Sequence, residues 1–241
     1  VLPTGTLQHG GDITFNVPRS TAFTALHETA LYVRVKVTKA NKAACNHAAD
    51  STPDTVSVVN NVVHTLWKQV CVYLNGHLAE SSDSYPYRAY VDTLTSFDGD
   101  VLSVRGELQG WRKDTAGHGD EAEVLKAGSK NEGGKLRGEP FKNSSVVLLI
   151  SRLHSDVFLQ GRSIPPSTSI DVVLSPSKDS FVLTAVAGSA YEMHIESAYL
   201  DVARQHVAPS LLQAITSLTE QQNVQLRLRR VKATTYNIKS G

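Results

Sequence analysis

Residues 29–39 carry a strict two-residue alternation, and this pattern constrains the fold more than any other feature of the chain. Leu31, Val33, Val35 and Val37 alternate with Tyr32, Arg34, Lys36 and Thr38. Successive side chains of a strand point to opposite faces, so one face meets a core and the other meets water. The same period runs through Asp12 to Val17 until Pro18 stops it. Valine is the commonest residue, with 27 copies, and Ser plus Thr add 43. That composition belongs to strands and loops rather than to helices.

Further strands are expected at 71–74, 145–151, 156–159, 169–174, 180–185, 191–202 and 224–231. Asn75-Gly76 after the first of these is the strongest two-residue hairpin signal available. The run 145–151 is apolar enough to be buried on both faces. In 191–202, Tyr191, Met193, Ile195, Ser197, Tyr199 and Asp201 are expected to share one side. Three short helices are expected. Val58, Val59, Val62, Val63, Leu66, Trp67 and Val70 recur at helical spacing, although β-branching weakens that pattern. Residues 84–94 suit a helix with Pro86 in its first turn. Pro209 opens a third, in which Leu211, Leu212, Ile215 and Leu218 share a face. No βαβ rhythm and no internal repeat is visible. Many short strands with regular turns indicate an all-β protein, a jelly-roll β-sandwich with a few short helices in the inter-strand loops.

Residues 105–143 break the pattern. They hold eight of the 16 glycines, many charges and few large apolar residues. The expectation is a Gly-rich, charged loop excursion within one domain spanning 1–241, of the length that is normally functional or mobile.

Chemistry is sparse. The nine histidines form no H-x-H, HExxH or i,i+4 pair, so the spacing of a cupin-type metal enzyme is absent. His154-Ser155-Asp156 is contiguous, but catalytic triads assemble in space, and polar residues on a strand flank explain it. The stretch Gly128 to Lys135 fails as a phosphate loop, because Leu136 stands where Ser or Thr would hold magnesium. Arg227, Arg229, Arg230 and Lys232 read as the solvated face of a strand. Lys plus Arg is 24 against 23 for Asp plus Glu, a net charge of +1. That balance argues against a general polyanion binder. Cys45 and Cys71 cannot make a disulfide framework or a four-thiolate zinc site. The longest aliphatic run, Val146 to Ile150, is far short of a membrane span. The chain opens on Val1, and its one methionine is Met193. The expectation is that the true start has been removed.

Several segments together resemble the capsid proteins of Polinton (Maverick) elements and related adenovirus-like DNA viruses. Asp12 to Pro18 and Leu31 to Val37 resemble the family's opening strands. Val59 to Trp67, with Asn60, Asn61 and His64, followed by Val70 to Gly76, with Leu74, Asn75 and Gly76, resembles its most recognisable block. Tyr85 to Leu94, with Pro86, Tyr87, Arg88 and Tyr90, is the next, and Lys113 to Gly117 falls in the expected place after it. Ala198 to Arg204 and Val207 to Ser210, with Pro209, match a further block.

The resemblance implies a structural subunit of an icosahedral viral or virus-derived shell, with no catalytic residues, no cofactor and no metal. It implies residence in the virion capsid, after synthesis in the host cytoplasm or nucleus. The expected partners are copies of the chain itself and other capsid proteins, with no specific nucleic acid and no membrane span. A trimer would suit the first jelly roll of a double-jelly-roll major capsid protein. A pentamer would suit a single-jelly-roll vertex protein. A carbohydrate- or protein-binding β-sandwich is the alternative of another class.

Overall fold

The computed structural model describes residues 1–48, 53–97, 99–222, 224–234 and 236. Three sheets carry the described strands. Strand β1 (Ile13–Val17), β4 (Trp67–Leu74), β5 (His77–Ser82) and β7 (Ile170–Pro176) form one sheet in the order β1-β7-β4-β5. Strand β2 (Phe23–Lys39), β6 (Val147–Ser151) and β9 (Tyr191–Gln205) form another in the order β6-β2-β9. The short β3 (Ser57–Val58) and β8 (Leu183–Thr184) pair by themselves. All these pairings are antiparallel. Among the long strands only β4 and β5 are consecutive neighbours in one sheet; every other step changes sheets. This is the jelly-roll sandwich that the alternating strands require.

The registers explain the core. Phe15, Val172 and Val72 form one row across β1, β7 and β4. Ile13, Leu174 and Val70 form the next, and Val17, Ile170 and Leu74 the third. Cross-strand apolar neighbours of this kind are the unit of sheet stability. From the opposite sheet, Leu31, Val33, Val35 and Val37 join them, and the buried side chains make one continuous cluster. The hairpin between β4 and β5 turns at Asn75 (φ 49°) and Gly76 (φ 80°). Two left-handed residues make the tight turn that matches strand twist.

Two bulges redirect side chains. Arg34 pairs with Ser197 and Val35 with Ile195, so Glu196 is the extra residue of β9. The expected single alternation of 191–202 therefore breaks. Met193 is buried before the bulge, Ala198 and Leu200 after it, and Tyr199 turns outward to stack on Tyr32 at 4.5 Å. In β5, Val72 pairs with Glu80 and Tyr73 with Leu78, so Ala79 is extra. An inserted residue reverses the facing of everything beyond it. Glu80 thereby faces inward beside Val72, while Leu78 is exposed.

The helices are short. They are α1 (Val62–Thr65), α2 (Tyr85–Ser96), α3 (Gly99–Leu108), α4 (Glu132–Gly138), α5 (Asp156–Leu159), α6 (Asp179–Val182) and α7 (Pro209–Gln221). Several expectations change here. The helical spacing over 58–70 resolves into β3, the single turn α1 and the start of β4, because valines favour extended backbone. Residues 156–159 form α5 rather than a strand. Residues 180–185 divide between α6 and β8. The run 145–151 is buried on one side only, with Val146 and Leu148 exposed. The segment 224–231 forms no strand, although Leu226 and Leu228 still lean on the core. On α7, Leu211 and Leu218 are exposed.

Within 105–143, residues 109–131 carry neither helix nor strand, and side-chain contacts tie this stretch to the helical turns around it. Those turns are the end of α3, α4 and the start of a 3-10 turn at Glu139–Ser144. Asn131 accepts the Gly134 N–H at 2.9 Å and the Thr115 N–H at 3.2 Å on its side-chain oxygen Oδ1. Its amide donates to Asp114 Oδ1 at 2.8 Å and to the His118 carbonyl at 3.0 Å. Arg137 donates to the Arg112 carbonyl at 2.5 Å and to Asp114 at 2.7 Å. Gly106, Gly110, Gly133, Gly134 and Gly138 serve close packing, whereas Gly117 and Gly128 have open space where a Cβ would stand. A Cβ on Gly133 would lie 1.9 Å from the Lys113 carbonyl oxygen. Backbone cannot swing aside as a side chain can, so Gly133→Ala should destabilise the protein by about 1–3 kcal/mol. A urea titration checks this; an unchanged midpoint would show that the segment is not packed as described.

Candidate assembly surface

Two of the sequence blocks meet in a buried polar network that fixes α2 on the sandwich. Arg88 of α2 donates to Glu80 Oε1 at 2.9 Å and to Asp156 Oδ1 at 2.5 Å. All three residues are buried. The remaining lone pairs of Glu80 are occupied. Oε1 accepts the Asp156 N–H at 2.9 Å, and Oε2 accepts the Ser155 hydroxyl at 2.5 Å and the Val157 N–H at 3.1 Å. Glu80 thus caps the start of α5 while it pairs Arg88. Negative charge at a helix start is favourable, and buried charges persist when they are paired and hydrogen-bonded as Glu80 is, whereas Arg88 Nε has only the ion pair with Asp92. Asp156 also accepts the Val231 N–H at 3.3 Å, which ties the 224–231 segment to the same cluster.

A second chain runs beside it. The His154 N–H donates to Tyr85 Oη at 3.2 Å. Tyr85 Oη and His64 Nδ1 are 2.8 Å apart, and His64 Nε2 and Ser151 Oγ are 2.7 Å apart. The Ser151 hydroxyl donates to the Arg152 carbonyl at 3.0 Å. That leaves Ser151 to accept from His64 Nε2–H, so Nδ1 accepts from the Tyr85 hydroxyl. His64 is therefore the neutral Nε2–H tautomer. Burial, with the neighbouring His154 charge, holds its pKa well below the usual histidine value. Burial likewise pushes the Tyr85 phenol up. Asp92 sits 3.3 Å from His154 Nδ1 and 3.5 Å from Arg88 Nε. Burial would raise its pKa, but the His154 hydrogen bond and the adjacent positive charges outweigh it and hold it low.

The outward side of this anchored region is apolar. Tyr87, Val91 and Leu94 of α2 are 50%, 56% and 52% exposed, and Val104 of α3 is 73% exposed. Val101 and Leu108 of α3 and Leu136 of α4 are exposed beside them. Grooves flank α3: Tyr90, Leu94, Trp111 and Leu136 line one, and Ile150, Val101, Leu108 and Leu159 line the other. Tyr87, Val91 and Leu94 lie along one face of α2, whereas the exposed valines of α3 are interleaved with Asp100, Ser103, Arg105 and Glu107, so the apolar docking candidate centres on α2 and the grooves beside α3.

The structure gathers some of the residues singled out in the sequence and separates others. His64, Tyr85 and Arg88 build the network. Asn60 supports it from outside, its carbonyl accepting the Asn61 and Arg112 N–H groups at 3.0 and 2.9 Å. Asn61 is left-handed and buried, and its amide donates to Thr93 at 3.3 Å. Pro86 occupies the first turn of α2. Tyr87 packs on Phe181 and Tyr90 on Trp111, with ring centroids 5.9 and 5.1 Å apart. Leu74, Asn75 and Gly76 lie at the other end of β4, where Asn75 Oδ1 accepts the Ser169 N–H at 3.0 Å. Pro209 begins α7. Sequence reasoning missed Glu80, Ser151 and Asp92. It also placed His154, Ser155 and Asp156 on a strand flank, whereas all three are buried. No periodicity marks Glu80, because the Ala79 bulge alone turns it inward.

No protein-family model and no curated protein sequence matches the chain. Solved structures do. VP54 of PBCV-1, in a crystal structure fitted into a cryo-EM reconstruction of the virophage Sputnik, is similar over 89% of this chain, with a TM-score of 0.50 and 12% identity. The major capsid protein of Faustovirus has a TM-score of 0.48 and 10% identity over 89% of the chain. The major capsid protein of mavirus has 0.43 and 14% over 87%. The matched regions are 43%, 54% and 46% of those proteins' own lengths. This chain therefore spans about half of each.

Removing Arg88 leaves two buried carboxylates without their partner. Arg88→Met should cost about 3–5 kcal/mol, lowering the melting temperature by roughly 6 °C or more for a chain of this size. A calorimetric scan reads it, and a shift within about 1 °C would refute the network's role.

The pH dependence follows from His64. Its folded pKa lies below its unfolded value, so below about pH 6.5 the unfolded chain binds the proton first. Stability is fully present above that pH and falls as pH drops toward the folded pKa. Urea midpoints should decline between about pH 7 and 5, less steeply in His64→Gln. Equal slopes for the two proteins would remove His64 as the cause.

Proposed function

We propose that this chain is a structural capsid subunit, built to associate with copies of itself in an icosahedral viral or virus-derived shell. The observation that carries the reading is the exposed apolar face of α2 with the grooves beside α3, held rigid on a jelly roll by the Glu80–Arg88–Asp156 cluster. A shell subunit needs stiff strands beneath lateral surfaces that remain uncovered until neighbours arrive, and interfaces of that kind bury large apolar cores. The fold likeness to VP54, itself placed in a virophage reconstruction, supports the reading. So does the sequence resemblance to Polinton and adenovirus-like capsid proteins.

In this reading the chain is one jelly-roll domain, major-capsid-like, corresponding to about half of a double-jelly-roll protein. Its role is structural rather than catalytic, its place is the virion capsid, and its partners are its own copies and other capsid proteins. The residues Asn60, Asn61, His64, Tyr85, Pro86, Tyr87, Arg88 and Tyr90 serve assembly indirectly, by shaping and aiming the surface. Among the described residues, no helix is long and apolar enough to cross a membrane.

The test is the mass of the purified assembly by light scattering. A trimer is expected, and Val91→Asp combined with Leu94→Asp should reduce it to monomers with little change in melting temperature, because both side chains are solvent-facing. A pentamer would turn the reading to a vertex protein. A monomer that binds a glycan array would replace the capsid reading with a binding module.

A further inference from the structure

A separate cluster lies where the N-terminal segment crosses β9. Glu192 and His194, two residues apart on β9, share a face of the strand. His9 reaches them from the segment before β1, its ring centroid 5.2 Å from that of His194. One donor atom from each of His9, Glu192 and His194 can be chosen so that all lie within 4.8 Å of one another. His194 Nε2 is buried and has no hydrogen-bond partner; Glu192 Oε2 lies 3.2 Å away without the alignment of a hydrogen bond. A buried ring nitrogen left without a partner is costly in a native fold.

Asp179, at the first position of α6, completes the surroundings. Its Oδ1 accepts the Met193 N–H at 2.9 Å, which fixes the carboxylate against β9. Its Oδ2 is 3.1 Å from His9 Nε2. A histidine whose one nitrogen faces a fixed carboxylate is oriented as metal-binding histidines are.

We propose that His9, Glu192 and His194 bind a divalent transition-metal ion of the zinc type, with Asp179 orienting His9. The donor set is two imidazoles and a carboxylate, which suits zinc and its first-row neighbours rather than calcium or magnesium. Neutral imidazoles with the charges of Glu192 and Asp179 balance a dication. Lys68 and Lys178 line the same cavity and oppose it, while Glu196 is engaged by Lys36 at 2.8 Å. Zinc bonds of about 2.0–2.1 Å place tetrahedral ligands about 3.4 Å apart. Closing the site therefore draws the donors inward by about 1 Å. His9 can supply that movement, being partly exposed and followed by Gly10 in a left-handed conformation (φ 73°) and Gly11. The bound ion would staple residues 1–12 to β9 and α6. No sequence motif announces such a site, because its two histidines are 185 positions apart.

The experiment titrates zinc sulfate into the tag-free full chain at neutral pH, reading uptake by calorimetry and melting temperature in parallel. Cobalt(II) in place of zinc gives a visible absorption band that reports nitrogen and oxygen coordination. One equivalent should bind and raise the melting temperature. His9→Ala and His194→Ala should each weaken binding at least tenfold and abolish the thermal shift, whereas Asp179→Asn should weaken it by about 10–100-fold. His118→Ala, which alters a distant histidine–carboxylate pair, should bind as the parent does. All the altered side chains are at least partly exposed, and circular dichroism verifies that each variant is folded. Absence of saturable uptake, or uptake undiminished in both the His9 and His194 variants, would overturn the proposal.

Discussion

The structure depends on one buried arginine held between two acids. Arg88 alone would be intolerable in the core, and so would Glu80 or Asp156. Together, with the Ser155 hydroxyl and the backbone amides of Asp156 and Val157, they satisfy one another. The arrangement joins four parts of the chain that aliphatic packing would not align on its own: β5, α2, α5 and the segment near Val231. Apolar contacts tolerate sliding, because they have no direction. A fork of hydrogen bonds from a guanidinium does not. The cluster therefore sets the orientation of α2, and with it the direction in which Tyr87, Val91 and Leu94 face.

Much of the sandwich was legible in the sequence, and the reason is local. Leu31 to Thr38 reads as a half-buried strand because period two is a property of the strand itself. Asn75-Gly76 reads as a turn because few residues accept left-handed backbone. Pro86 and Pro209 mark helix starts for a similarly local reason. What escaped is what depends on partners distant in sequence. Residues 156–159 have the short apolar run of a strand, yet they coil into a helical turn in which Glu80, 76 positions away, accepts the first backbone N–H. The expected single face of 191–202 fails at Glu196, since a bulge is decided by pairing with β2 and leaves no mark on composition. In 105–143, glycine suggested freedom, yet at Gly133, Gly134 and Gly138 it permits close approach. A count of glycines cannot distinguish the two.

The candidate site shows the same division. His64, Tyr85 and Arg88 stood out in the sequence because they lie in compact blocks. Their partners Glu80, Ser151 and Asp156 are scattered and carry no pattern. The surface that the network supports has opposite character: exposed, apolar and flanked by grooves on both sides of α3. Rigidity beneath and uncovered apolar area above are complementary requirements for a part that must meet others at fixed angles. A mobile ridge would lose conformational entropy at every contact, a loss that anchoring α2 through Arg88 would reduce under the proposed role.

The pairing of β2 with β9 has a temporal consequence. β2 ends at Lys39 and β9 begins at Tyr191, so the first long strand emerges from the ribosome well before its partner exists. The backbone edge that β9 will occupy must wait while some 150 further residues are made, a matter of roughly 10–30 s at ordinary translation rates. Loop closure over such a separation is also slow once the chain is free. The unpaired edge of β2 is thus a template open to mispairing during synthesis, although it is an interior edge of its sheet in the finished molecule.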